Sequence, residues 1–123
     1  MFQIDPLSRK PIYEQLIEQC EAFIQSGLLK EGDLIPSVRS LSMDLSVNPN
    51  TIQKAFADLS TRGIIRSVPG KGNVVCGNAA QIISDKNREK LDEFLSLLRL
   101  LAGSGIPREE LIEYVNKAYQ SHF

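Results

Sequence analysis

Residues 37–63 read SVRSLSMDLSVNPNTIQKAFADLSTRG, and two short helices are punctuated into that stretch. Ser37 is a residue type that caps helix N-termini, and Val38, Leu41 and Leu45 follow it at helical spacing. Asn48 is a second cap, with Pro49 in the first helical position, where its fixed φ and missing N–H cost nothing. Ile52, Ala55, Phe56 and Leu59 then make one apolar stripe, and Gly63 stops the helix. Only Ser46-Val47-Asn48 is left to join the two segments. Two helices joined by so short a turn predict a helix-turn-helix.

The chain on either side extends this unit. Downstream, Ile64-Ile65-Arg66-Ser67-Val68 and Asn73-Val74-Val75-Cys76 are short β-branched runs flanking Pro69-Gly70-Lys71-Gly72, the pattern of a β-hairpin with a basic, glycine-rich tip. Upstream, a helix is expected from Pro11 to Gly27, with Ile12, Leu16, Cys20, Phe23 and Ile24 on its apolar side. Leu28 to Pro36 reads as a turn and a short extended piece. A helix-turn-helix followed by a basic hairpin is a winged helix, and residues 1–78 are assigned to it.

Gly77-Asn78-Ala79-Ala80 reads as a linker, and residues 79–123 as a second, helical part. Ser84 is expected to cap a helix running to about Ala102, and Gly103-Ser104-Gly105 breaks it. Pro107, with Glu109 and Glu110 in the first turn, starts a last helix. Leu91, Phe94, Leu95, Leu98 and Leu101 share one face of the first tail helix, and Leu97 falls beside that stripe. Leu111 and Val115 lie on the apolar side of the second. Two helices are too few to bury this much apolar surface among themselves. These eight residues are therefore expected to form a dimer contact, a C2 homodimer being the simplest closed solution. The fold class expected is mainly α with a small β-hairpin: an N-terminal winged helix-turn-helix plus a two-helix dimerisation tail.

Composition narrows the chemistry. The 123 residues are 42% hydrophobic and 24% charged, as in ordinary soluble domains. No apolar run is long enough for a bilayer, and the opening MFQIDPLSRK has no apolar signal region. Cys20 and Cys76 make no disulfide framework and read as structural thiols of a reducing, cytoplasmic compartment. His122 is the single histidine and makes no metal site by itself. Gly70-Lys71-Gly72 lacks Walker spacing, and no nucleophile–base pair is discernible, so neither an enzyme nor a cofactor is expected. Tyr13, Tyr114 and Tyr119 read as packing residues. The net charge is −1, yet residues 37–78 hold five bases against two acids. A basic middle inside a near-neutral chain suits an anion-facing surface.

The helix from about 49 to 62 carries the functional signal. Opposite its apolar stripe it presents Asn50, Gln53, Lys54 and Ala57, with no carboxylate in the first two turns. Amide side chains pair with adenine edges in the major groove, and Lys reaches guanine or phosphate. Arg39, in the first turn of the preceding helix, is placed to clamp a phosphate. Lys71, between Gly70 and Gly72, is placed where the backbone can approach DNA.

These residues resemble a known family. Gly27-Leu28, Gly32-Asp33, Ile35-Pro36-Ser37, Arg39 and Leu41 look like the second-helix signature of the GntR family of bacterial transcription regulators. Val47 through Phe56 resembles its recognition helix in the form of the small YtrA-type branch. Pro11-Ile12-Tyr13-Glu14-Gln15-Leu16 is similar to the same branch, and Gly63-Ile64-Ile65 with Gly70-Lys71-Gly72 completes the wing over 64–76. Pro69 departs from the basic residue often found there, and Asn73-Val74 departs from the usual Thr-Phe. The resemblance implies a sequence-specific DNA-binding regulator, a homodimeric repressor on a palindromic operator, with no membrane partner; it names no small-molecule effector. The DNA-binding set is Arg39, Asn48, Asn50, Thr51, Gln53, Lys54, Gly70, Lys71 and Gly72. The competing expectation is a winged-helix module for protein contact, with the polar helix face merely solvated.

Overall fold

The computed structural model describes residues 1–120; His122 lies outside them. The chain forms α1 (Ile12–Gln25), α2 (Val38–Leu45), α3 (Pro49–Thr61), β1 (Ile65–Val68), β2 (Gly72–Val75), α4 (Ala79–Arg88), α5 (Lys90–Gly103) and α6 (Arg108–Gln120). It is mainly helical, with one two-stranded antiparallel hairpin, as expected. Two compact units divide between Asp85 and Lys86. No helix among the described residues is long and apolar enough to cross a membrane.

The first unit is built around one core. Leu16, Cys20 and Ile24 of α1, Leu41 of α2, and Ile52, Ala55, Phe56 and Leu59 of α3 are buried together with Ile64, Ile65 and Val75. α1 and α3 each end on a residue with right-handed geometry, Ser26 and Arg62. Gly27 and Gly63 follow with φ near +80°, the left-handed position that reverses the chain after a helix. β1 and β2 pair in the register Ile65–Val75 and Val68–Gly72. The expected extended piece before Pro36 lies on the hairpin: Leu34 bridges Val74, and the Ile35 N–H donates to the Asn73 carbonyl at 2.9 Å. The wing is thus tied to the segment that leads into α2.

Two features of this unit left no apolar pattern in the sequence. Phe2 is buried and meets Phe23 edge-on, with ring centroids 5.1 Å apart. Gln15 is buried, and its amide is satisfied from the N-terminal strap. Its Oε1 accepts from the Asp5 N–H at 2.8 Å, and its Nε2 donates to the carbonyls of Asp5 and Lys10. Burial pushes the Cys20 thiol up from its ordinary 9.0 to about 12, with Glu21 adding and Arg62 opposing, so the sulfur stays protonated and unreactive.

The junction between the two parts differs from the expected one. Ala79 and Ala80 are not linker but the first turn of α4, and the helix begins five residues before Ser84. Ala79 and Ile83 are buried in the core of the first unit, and Ile82 packs partly against it. That burial draws the chain into a helix directly after Asn78, whose carbonyl accepts from the Ile82 N–H at 3.1 Å. The first unit therefore ends seven residues beyond the boundary expected after Asn78. The helix expected to run unbroken to Ala102 is interrupted at Glu89, whose N–H turns back to Lys86 in a tighter bond of 3.2 Å.

The second unit contains α5 and α6, and neither has a buried residue. Leu91, Leu97 and Leu100 are 55%, 52% and 65% exposed, and Phe94, Leu95, Ile112 and Val115 are also exposed. Leu98, Leu101 and Leu111 are half-buried between the two helices. An apolar groove of about 570 Å³ is lined by Phe94, Leu97, Leu101, Tyr114 and Val115, and a second of about 440 Å³ by Leu98, Ala102 and Ile112.

Ile83→Ala tests whether α4 belongs to the core of the first unit. Emptying this site is expected to cost about 2–5 kcal/mol in denaturant unfolding. A loss below about 1 kcal/mol would show that α4 is not part of that core.

Candidate nucleic-acid interface

The helix pair is set by its turn. Ser46 closes α2 in the left-handed conformation, φ 54° and ψ 44°, and its N–H donates to the Ser42 carbonyl. Val47 is then buried, and the Ser42 hydroxyl donates to its carbonyl at 2.7 Å. A serine with positive φ is uncommon and costs about 1 kcal/mol or more. The buried Val47 and the Ser42 bonds hold it, the Val47 N–H also donating to the Ser42 carbonyl at 3.2 Å. Both expected caps are present: Ser37 Oγ accepts from the Ser40 N–H at 3.0 Å, and Asn48 Oδ1 from the Asn50 N–H at 2.8 Å.

With Ile52, Ala55, Phe56 and Leu59 buried, α3 can turn only one side to solvent. Asn50, Gln53, Lys54 and Ala57 are all exposed on that side, and Thr51 is half-buried. No acidic residue lies in the first turn of α3, and Pro49 occupies its N-terminal end. The first two turns therefore offer amides and a cation, with no carboxylate of their own helix to repel a phosphate.

The bases of the middle segment divide by role. Arg62 is 17% exposed at its side chain and pairs with Asp58 at 2.9 Å and Glu21 at 3.1 Å. Its charge is spent inside the fold, tying α3 to α1. Arg39 is exposed on the first turn of α2 and, among the described residues, makes no ion pair. Arg66 on β1 and Lys71 at the hairpin tip are exposed as well. Gly70 has φ +78° and nothing within 4 Å of where a Cβ would stand, and Gly72 has φ +118°. Both glycines are required by backbone conformation, and the open space at Gly70 leaves the tip narrow.

Asn48, expected both to cap α3 and to face DNA, is the cap, so its oxygen is engaged within the fold. Tyr13, expected only to pack, stands under Lys54: the ammonium lies 3.9 Å from the ring centroid. No periodicity joins α1 to α3 across 41 residues, and only the packing of the two helices brings the pair together.

Comparison with known proteins agrees with this geometry. The family model described as bacterial regulatory proteins, gntR family, matches residues 12–75. The chain is 37% identical over 118 residues to the HTH-type transcriptional repressor YtrA of Bacillus subtilis, covering 95% of this chain and 91% of that protein. A GntR family transcriptional regulator from Listeria monocytogenes superposes with a TM-score of 0.73 at 34% identity, over 93% of this chain and 98% of that one. The DNA-binding domain of AraR in complex with operator ORX1 superposes with a TM-score of 0.53 at 35% identity, over 62% of this chain and 93% of that one.

Asn48→Ala removes the α3 cap and is expected to lower stability by about 1 kcal/mol, while Asn48→Asp keeps it. Urea unfolding of both variants measures this. Equal stability of Asn48→Ala and the parent would mean the cap contributes nothing.

Proposed function

This chain belongs to the gntR family of bacterial regulatory proteins and is a sequence-specific DNA-binding transcription regulator, not an enzyme; from that premise we propose that it acts in the cytoplasm as a homodimeric repressor on a palindromic operator. The observation that carries the reading is α3 itself, whose free side is polar from its first turn and gains a cation, Lys54, in its second. Asn50 and Gln53 supply amides for base edges in the major groove, with Thr51 and Asn48 at the leading end of the helix. Lys54 supplies a cation to guanine or phosphate. Arg39 clamps the backbone, and Lys71 between Gly70 and Gly72 brings the wing tip to it.

The unfinished second unit supports the dimer. A two-helix hairpin with no buried residue has its apolar surface in water unless a partner covers it. A second copy supplies an identical surface by twofold symmetry. The same axis would place two α3 helices on related half-sites about one helical turn apart. On this reading dimerisation belongs to the part beyond Asp85, through Leu91, Phe94, Leu95, Leu97, Leu98, Leu101, Leu111 and Val115.

In vitro selection from random duplexes tests the function first. A twofold-symmetric consensus is expected; its absence from every pool would favour the protein-contact module. On the selected site, Gln53→Ala should relax preference at one base pair by about 1–3 kcal/mol. Arg39→Ala should weaken all duplexes alike and reduce the salt slope by about 1. Unchanged binding in both variants would remove these two roles.

A chain ending at Arg88 retains the buried Ile83 and is expected to sediment as a monomer. It should bind a two-half-site duplex at least about a hundredfold more weakly than the full chain. A dimeric truncation product would place the interface in the first unit.

A further inference from the structure

Tyr13 belongs to neither element of the helix-turn-helix, yet its ring lies against Lys54, a side chain read as DNA-facing. Lys54 Nζ lies 3.9 Å from its centroid, well inside the distance of about 6 Å at which a ring face attracts a cation. The Tyr13 hydroxyl donates to Glu14 Oε1 at 3.3 Å, and donation to a carboxylate polarises the ring toward greater negative density on its face. Among the described residues no carboxylate pairs with Lys54, so the ring is what holds its ammonium.

The two sides of the contact differ in stiffness. Tyr13 stands on α1, whose Leu16, Ile17, Cys20 and Ile24 are locked in the core, and the Arg62–Glu21 pair ties α1 to α3. Lys54 is exposed at the end of a flexible four-carbon stem, and fixing such a stem on a ligand costs rotamer entropy. A cation already ordered by the ring loses less of that freedom on binding.

We propose that Tyr13 is a positioning residue for DNA recognition, its ring holding the Lys54 ammonium in the place from which it meets the duplex. The inference rests on the reading of Lys54 as a DNA-facing residue. It makes Tyr13 a determinant of both affinity and base preference at the Lys54 contact, although Tyr13 itself need not touch a base.

The test measures operator affinity, and discrimination at the base pair whose preference Lys54→Met relaxes, for Tyr13→Phe, Tyr13→Leu, Lys54→Met and the double variant Tyr13→Leu/Lys54→Met. Tyr13→Phe keeps the ring and is expected to bind within about twofold of the parent. Tyr13→Leu keeps bulk without the ring and should bind about two- to thirtyfold more weakly, with reduced discrimination at that base pair. In the Lys54→Met background the same change should have no further effect. Tyr13→Leu binding as the parent does, binding more tightly, or adding in full to Lys54→Met would overturn the proposal. Loss of effect in Lys54→Met itself would overturn the reading of Lys54 beneath it, so the two failures are distinguishable. A readout without DNA guards against a misfolded variant: the Lys54 side-chain protons should show an upfield ring-current shift in the free parent and in Tyr13→Phe. Unshifted protons in the parent would also refute the contact.

Discussion

The rotation of α3 about its own axis is the constraint on which the site depends. Ile52 and Ala55 expose no surface and Leu59 only 1%, so α3 cannot roll without opening the core to water. Ile52, Phe56 and Leu59 are each worth about 1.5–3 kcal/mol when buried, and a roll of one residue would expose several of them. The polar face is therefore aimed by apolar packing. Asn50, Gln53 and Lys54, three and four residues apart, share one face and point outward because Ile52, Ala55, Phe56 and Leu59 hold the opposite face in the core. The turn that delivers α3 obeys the same logic. Ser46 accepts an unfavourable backbone conformation because the buried Val47 and the Ser42 bonds leave the chain no other path into the core.

Charge is organised on top of that packing. The protein as a whole is slightly acidic, and long-range attraction to a polyanion is correspondingly weak. Discrimination then falls to short-range contacts. Arg62, a base by sequence count, is consumed by Asp58 and Glu21 and serves as a tie between helices. Arg39, Lys54, Arg66 and Lys71 remain exposed, each on a different part of the winged unit. On the proposed contacts, few bases separately placed would give a modest salt dependence and leave the amides of α3 a larger share of the selectivity.

Much of this was legible in the sequence wherever the signal was local. Caps, turns and apolar stripes are written within four or five residues of where they act, so Ser37, Asn48, Pro49, Gly27, Gly63 and the hairpin tip could be placed directly. The misplaced boundary was a conflict between local and global signals. Ala79-Ala80 beside Gly77-Asn78 resembles a linker by composition, whereas Ile83 finds its place only once the rest of the core exists. The break at Glu89 has no breaker residue to announce it. Gln15 and the Tyr13–Lys54 pair were hidden for a related reason. A buried amide and a cation on a ring are defined by partners distant in sequence, and periodicity carries no information about them.

The two units divide the work by how complete each is alone. The first has a closed core, a satisfied buried glutamine and side-chain caps at the starts of α2 and α3, so it can present α3 rigidly. The second has helices without a core. A hairpin with open apolar grooves on the same chain as a closed DNA-reading domain is economical only if its surface is covered in the working state. Covering it with a second copy couples two events that a single domain keeps separate. In the proposed dimer the apolar area that stabilises the tail would also join two readers, and the affinity of one α3 for a half-site would need only be moderate. A weak, selective reader doubled by a hydrophobic clasp releases single half-sites readily and holds paired ones. That behaviour suits a chain whose net charge gives it little nonspecific hold on DNA.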